Sequence, residues 1–250
     1  MPGARIKAVA KAVFPAEVWR WLQGQQQRLR LWPPVGRVRP GHLRRVNPVS
    51  REFGLDRGQC IDRFYIESFL ARHAGDIGGH VLEIADDTYT RRFGGERVAK
   101  SDVLHLQEGN PHTTLVGDLT SADHIPSNTF DCIIFTQTLQ FIYDVRAAVR
   151  TLYRILRPGG ILLATFPGIS QISRYDMDRW GDYWRFTTLS ARRLFEEAFP
   201  AAHVMVEAFG NVLAAVAFLH GLSAQDLRPE QLGYPDPDYQ LLIAVRAVKP

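Results

Sequence analysis

Three acidic residues, Glu83, Asp102 and Asp118, stand near the ends of successive short apolar runs. Val81-Leu82-Glu83-Ile84 is too short and too β-branched to favour a helix, and it runs into the acidic-polar turn Ala85-Asp86-Asp87. It reads as a buried strand followed by a loop. Arg97 to Lys100 reads as a second strand ending at Ser101-Asp102, and Thr113 to Val116 as a third, followed by Gly117-Asp118-Leu119. In a parallel sheet the strand C-termini share one edge, and open α/β sheets bind ligands there. A carboxylate beyond the second strand can accept hydrogen bonds from both hydroxyls of a ribose. The spacing therefore points to a nucleoside-bearing cofactor. The eight histidines form no HxH or HExxH pattern, which argues against a bound metal.

A second set of chemically capable residues lies in 167–187, PGISQISRYDMDRWGDYWRFT, which fits neither a helical nor a strand period. A long aromatic loop after a strand end is more often a binding element than a plain connection. Tyr175, Trp180, Tyr183, Trp184 and Arg185 are its candidates for holding an acceptor: aromatic faces suit a sugar ring or a planar natural product, and arginine suits hydroxyl or phosphate groups. Asp176 within this loop, and His124 and His220 elsewhere, are the candidate general bases.

The elements that must position these residues follow from periodicity. Asp62 to His73 reads as a helix with Phe64, Tyr65, Phe69 and Leu70 largely on one side. Asp131 to Thr136 is a fourth strand. From Val145, the residues Ala148, Val149, Leu152, Tyr153 and Leu156 line one helical face until Pro158-Gly159-Gly160 stops it. Ile161 to Phe166 is a fifth strand. Thr188 or Ser190 caps a helix running to Phe199, and His203 to Phe209 and Tyr239 to Val248 are the last two strands. Val212 to Leu219, VLAAVAFL, reads as a core or pocket-lining helix.

In this order and spacing the chain resembles the class I S-adenosylmethionine-dependent methyltransferases over residues 60 to 250. VLEIADD matches that family's first motif, usually written LEIGxGxG, and Val116-Gly117-Asp118-Leu119 matches its adenine-clasping segment. Phe130-Asp131-Cys132-Ile133-Ile134 and Leu156-Arg157-Pro158-Gly159-Gly160 match its fourth strand and the turn before its fifth. The resemblance implies a Rossmann-like α/β fold: a seven-stranded, mostly parallel sheet with the last strand antiparallel, here preceded by a basic N-terminal helical extension. It implies S-adenosyl-L-methionine as cofactor. Glu83 would position the first loop, and Ala85, Asp86 and Asp87 would lie beside the methionine. Asp102 would bind the ribose, with Val103 against the adenine. Asp118 and Leu119 would hold the adenine edge, and Thr136 and Gln137 would flank the reacting methyl group. The family glycines are replaced by Ala85, Asp87 and Tyr89, at positions where backbone must approach ligand without a Cβ.

Composition bounds the alternatives. A chain of 250 residues buries one full core with a small appendage, here divided as residues 1–58 and a cofactor-binding domain at 59–250. No apolar run approaches the roughly 20 residues of a spanning helix. The N-terminus lacks a signal peptide's apolar centre, so the expected compartment is the cytoplasm. The two cysteines suggest neither a disulfide framework nor a metal site. Residues 1–50 hold ten Lys/Arg against one acid, Glu17. Residues 14–31 read as a helix with Phe14, Val18, Trp21 and Leu22 on one stripe, and Trp32 to Pro48 as a linker or wrap. Such an arm can meet an anionic membrane, an acidic protein or phosphate. The leading expectation is O-methylation of a small-molecule or saccharide acceptor. The alternative is a catalytically impaired, methyltransferase-like module that docks on a partner, such as a glycosyltransferase or a membrane, through its basic N-terminus. A nicotinamide oxidoreductase would need GxGxxG where ADDTYT stands. Nucleic-acid methylation is disfavoured because Thr136-Gln137-Thr138-Leu139 carries no base-flipping tetrapeptide.

Overall fold

The computed structural model describes Val18 and residues 41–250. The expected helix over 14–31, with Trp19 and Trp21, lies outside the described residues apart from Val18, which is helical and exposed. Two compact units divide the chain, Met1–Asn47 and Pro48–Pro250. The break falls earlier than the boundary expected at residue 58, because residues 48–58 are hydrogen-bonded into the larger unit. Val49 and Ser50 donate their N–H groups to the His220 carbonyl, and Arg57 pairs with Asp226 at 2.9 Å.

Seven strands make one sheet: β1 (Gly79–Ile84), β2 (Val98–His105), β3 (Leu115–Val116), β4 (Phe130–Thr136), β5 (Leu156–Pro167), β6 (Val204–Phe209) and β7 (Leu242–Val248). Their order is β3-β2-β1-β4-β5-β7-β6. Strands β1 to β5 run parallel, and β7 is antiparallel to both β5 and β6. This is the Rossmann-like architecture expected from the sequence, and the order reverses between β1 and β4, where such sheets open a crevice. Pro158-Gly159-Gly160 is not a helix stop. The helix has already ended when Leu156 turns extended and pairs with Phe130, and the turn sits as a bulge inside β5 before Cys132 pairs with Ile161.

Helices cover both faces. On one face lie α2 (Val145–Ile155) and α4 (Thr188–Glu196), on the other α1 (Ile61–Arg72) and α5 (Val212–Leu219). The short helices α3 (Arg174–Met177) and α6 (Pro229–Gly233) lie in connections. Helix α2 starts because the Asp144 carboxylate accepts the Ala147 N–H, and it buries Ala148, Val149, Leu152 and Ile155 at i, i+1, i+4, i+7. Helix α4 is capped by Thr187, one residue before the expected Thr188, with Ser190 completing a reciprocal capping box. Phe166 and Phe195 stack at 5.6 Å between the sheet and α4, each ring contributing on the order of 2–3 kcal/mol by burial. Cys60 and Cys132 are buried free thiols, and burial pushes Cys60 up to about 12. No described helix is long and apolar enough to cross a membrane.

Candidate cofactor and acceptor site

The strand C-termini of β1, β2, β3 and β4 set the stage. Glu83, 2% exposed, points off β1 into the face covered by α1. Its carboxylate accepts the Tyr89 N–H at 3.1 Å, the Thr90 N–H at 2.7 Å and the Thr90 hydroxyl at 2.7 Å. These contacts tie β1 to the π-helical turn Thr90–Gly94, a geometry common at functional sites. Burial pushes the carboxyl up to about 7 in spite of these donors.

Ala85 follows with φ of 73°, its N–H donating to Leu104 O at 3.0 Å and its carbonyl accepting from Asn110 Nδ2 at 2.6 Å. A left-handed alanine costs about 1–2 kcal/mol, and such outliers persist where surroundings over-determine them. The backbone at position 85 is therefore in the region that favours glycine, the residue the resemblance leads one to expect there. The other two replacements leave the edge clear. The Asp86 carboxylate accepts the Thr88 N–H, Asp87 pairs with Arg91 at 2.7 Å, and Tyr89 is buried in the α1-side core with its hydroxyl 3.4 Å from Arg63.

Asp102 does not stand at the strand end where the sequence placed it. β2 does not stop at Lys100 but continues to His105, so Asp102 sits inside the strand opposite Leu82, 6% exposed. Its oxygens lie 2.6 Å from His80 Nε2, 2.8 Å from Lys100 Nζ and 2.9 Å from the Thr114 hydroxyl. Burial opposes ionisation, but hydrogen bonds from Lys100, His80 and Thr114 outweigh it and hold the carboxyl below its usual range. Because strand side chains alternate, Asp102 and Glu83 face opposite sides of the sheet. Asp102 is a brace joining β1, β2 and the approach to β3, and Val103 is a buried interior residue rather than an edge contact. The residue that reaches the end of β2 is His105, which the sequence reading missed. It pairs with Val116 and accepts the Gly117 N–H at its carbonyl. Asp118 is exposed just beyond β3, with a carboxylate oxygen on the Thr120 N–H at 2.8 Å, and Leu119 is buried behind it.

At the end of β4, Thr136 is followed by Gln137, left-handed at φ of 47°, whose N–H donates to Thr165 O. Gln140 Nε2 donates to the Gln137 carbonyl at 2.9 Å, while its Oε1 is buried without a partner. The Gln140 carbonyl accepts the Tyr183 N–H at 2.8 Å, and Trp184 Nε1 donates to Ile142 O at 3.1 Å. The aromatic loop is thereby fastened over this edge. Tyr143, 72% exposed, lies 5.4 Å from the Tyr183 ring and 5.9 Å from Trp184, making an open three-ring surface. Tyr143 was not singled out from sequence; an isolated tyrosine before a helix cap gives no periodic signal. Trp180 meets His105 edge to face at 6.1 Å, and Tyr175 stacks under Arg179.

Several proposed reactive groups are otherwise engaged. Arg185 is bound to Asp182 at 2.5 Å and to the carbonyls of Gln171 and Trp184, so it frames the loop instead of meeting an acceptor. The Asp176 carboxylate accepts the Ser173 hydroxyl at 2.5 Å at the start of α3. His124 Nε2 lies 2.8 Å from Val116 O, near the β3 end. His220 closes α5, and no described contact joins it to the strand-end residues. Among the described residues no three His, Cys, Asp or Glu side chains gather to hold a metal. An open groove of about 490 Å³, lined by Thr188, Arg192, Glu207 and Gln240 among others, runs along α4 and β6, away from the β1–β4 edge.

Residues 68–164 match the family model described as a methyltransferase domain. The ubiquinone/menaquinone biosynthesis C-methyltransferase UbiE of Escherichia coli (strain HS) is 50% identical over 119 residues, covering 44% of this chain and 43% of that protein. Its namesake from Enterobacter sp. (strain 638) is 36% identical over 94 residues, covering 38% and 35%. The chain thus spans less than half the length of these curated relatives. A SAM-dependent methyltransferase structure from Archaeoglobus fulgidus aligns with 11% identity and a TM-score of 0.49, over 75% of this chain and 94% of that one.

Proposed function

We propose that this protein, whose residues 68–164 match a methyltransferase-domain model, is a class I S-adenosylmethionine-dependent methyltransferase that transfers a methyl group to a small-molecule acceptor held under the loop 168–187. The observation that carries this reading is the left-handed Ala85 beside the buried Glu83, with the unpartnered Gln140 Oε1 in the short turn that follows β4. An exposed backbone turn and an orphaned acceptor suit the ammonium of a methionine group, so the residues fit the cofactor. When bound, that cofactor supplies an electrophilic methyl on a sulfonium. Glu83 fixes the turn that receives the methionine end, with Asp86 and Asp87 beside it. Asp118 accepts from the adenine amino group and the Leu119 backbone lies against the ring. Thr136 and Gln137 flank the reacting methyl, where nucleophile, carbon and sulfur must align.

The surface of Tyr143, Tyr183 and Trp184 suits a ring acceptor presented edge-on to the β4 end. An oxygen acceptor on a saccharide or other hydroxylated ring is the first reading. A carbon acceptor on a planar ring is the second, favoured by the similarity to C-methyltransferases. The test is calorimetry with S-adenosylhomocysteine, followed by transfer of isotopically labelled methyl to panels of hydroxylated saccharides and of quinols, read by mass spectrometry. A chain that binds no S-adenosylhomocysteine refutes the proposal.

A further inference from the structure

With Asp102 withdrawn into the sheet, no carboxylate stands at the last position of β2. His105 does. We propose that His105, beside Trp180, is the ribose clamp of the cofactor site, with a single ring nitrogen hydrogen-bonded to one ribose hydroxyl. The inference rests on the cofactor reading above. Its first support is position. The Leu104 carbonyl holds the Ala85 N–H and the His105 carbonyl holds the Gly117 N–H, so His105 stands between the β1 turn and Asp118. A nucleoside whose methionine end lies at Ala85 and whose base lies at Asp118 must cross this strand end with its sugar.

The second support is the ring itself. Nδ1 lies 2.8 Å from Gln107 O and 3.2 Å from Gln107 N. Both contacts engage Nδ1 and leave Nε2 as the ring nitrogen that can hydrogen-bond a ligand. The third is the surroundings. Trp180 meets the imidazole at 83° with ring centroids 6.1 Å apart, so an aromatic side chain stands beside the proposed bond. Asn110 anchors the loop after β2 to the Ala85 carbonyl at 2.6 Å, which fixes the distance between the clamp and the turn. A carboxylate at this place serves both ribose hydroxyls. One imidazole nitrogen serves one.

That difference gives a signature. Calorimetry of the full chain with S-adenosylhomocysteine and its 2′-deoxy and 3′-deoxy analogues is expected to show one analogue binding about 10-fold more weakly and the other unchanged, the span of a single hydrogen bond. His105→Ala is expected to bind S-adenosylhomocysteine about 10-fold more weakly and to treat the two analogues alike, while His105→Gln, which keeps an acceptor, retains most of the affinity. Circular dichroism of each variant checks that it folds. Unchanged affinity in His105→Ala, or loss on both deoxy analogues abolished instead by Glu108→Ala in the following loop, overturns the clamp while leaving the cofactor reading intact. Failure of the unsubstituted chain to bind S-adenosylhomocysteine overturns both.

Discussion

Replacing Glu83 with glutamine gives the sharpest test of the first-strand turn. The carboxyl sits at about 7 in the folded chain, against an ordinary value of 4.5. Its folded value is raised, so the stability it allows is fully present below about 4.5 and is lost as pH climbs through about 7. At about 1.4 kcal/mol per unit, the folded state loses on the order of 3 kcal/mol across that window. Glutamine removes the ionisation but keeps the shape. The amide oxygen can take the place of Oε2 and accept the Thr90 N–H and hydroxyl, but the amide nitrogen then faces the Tyr89 N–H, which loses its acceptor Oε1. Urea unfolding at pH 5 and pH 8 measures the outcome. Glu83→Gln should be about 1–2 kcal/mol less stable than the parent at the lower pH, for the lost Tyr89 acceptor, and should gain about 2–3 kcal/mol on it between the two pH values. Groups common to both proteins cancel in the difference. A parent-to-variant difference that stays the same at pH 5 and pH 8 would show that the three donors, not burial, govern this carboxyl.

Other substitutions probe neighbouring parts. Asp102→Asn should cost about 2–4 kcal/mol in urea unfolding, because His80 and Lys100 lose a charged partner, yet leave S-adenosylhomocysteine affinity within about 3-fold. Ala85→Gly should stabilise by roughly 0.5–1 kcal/mol, relief of the left-handed alanine outweighing the added freedom of the unfolded chain, with cofactor affinity retained. Arg185→Ala should accelerate limited proteolysis between residues 170 and 187, since Asp182 and the carbonyls of Gln171 and Trp184 lose their shared donor, while the global unfolding midpoint moves little.

The sheet was legible from its apolar runs because Val81-Leu82 and Cys132-Ile133-Ile134 have no other stable use than buried strands. The β2 boundary was not. Lys100, Ser101 and Asp102 are polar residues in the outer half of a strand whose inner half is Val103-Leu104, and polarity alone suggests an end there. What keeps that strand going is His80 and Thr114, distant in sequence and visible only once β1 and β3 flank it. For the same reason Arg185 looked available, since Asp182 three residues earlier signals a pair only when the loop closes on itself. The family likeness placed the ribose acid by spacing, and β2 runs three residues past it, to His105.

Alanine and glycine codons differ at one base, so position 85 lies a single mutational step from the residue its backbone conformation favours. A lineage can cross that step in either direction without losing the fold, because a cost of about 1–2 kcal/mol fits inside a typical margin of about 5–15 kcal/mol. The turn conformation, not the letter that occupies it, is therefore what heredity has to preserve, and a search keyed to the glycine would pass over chains built like this one.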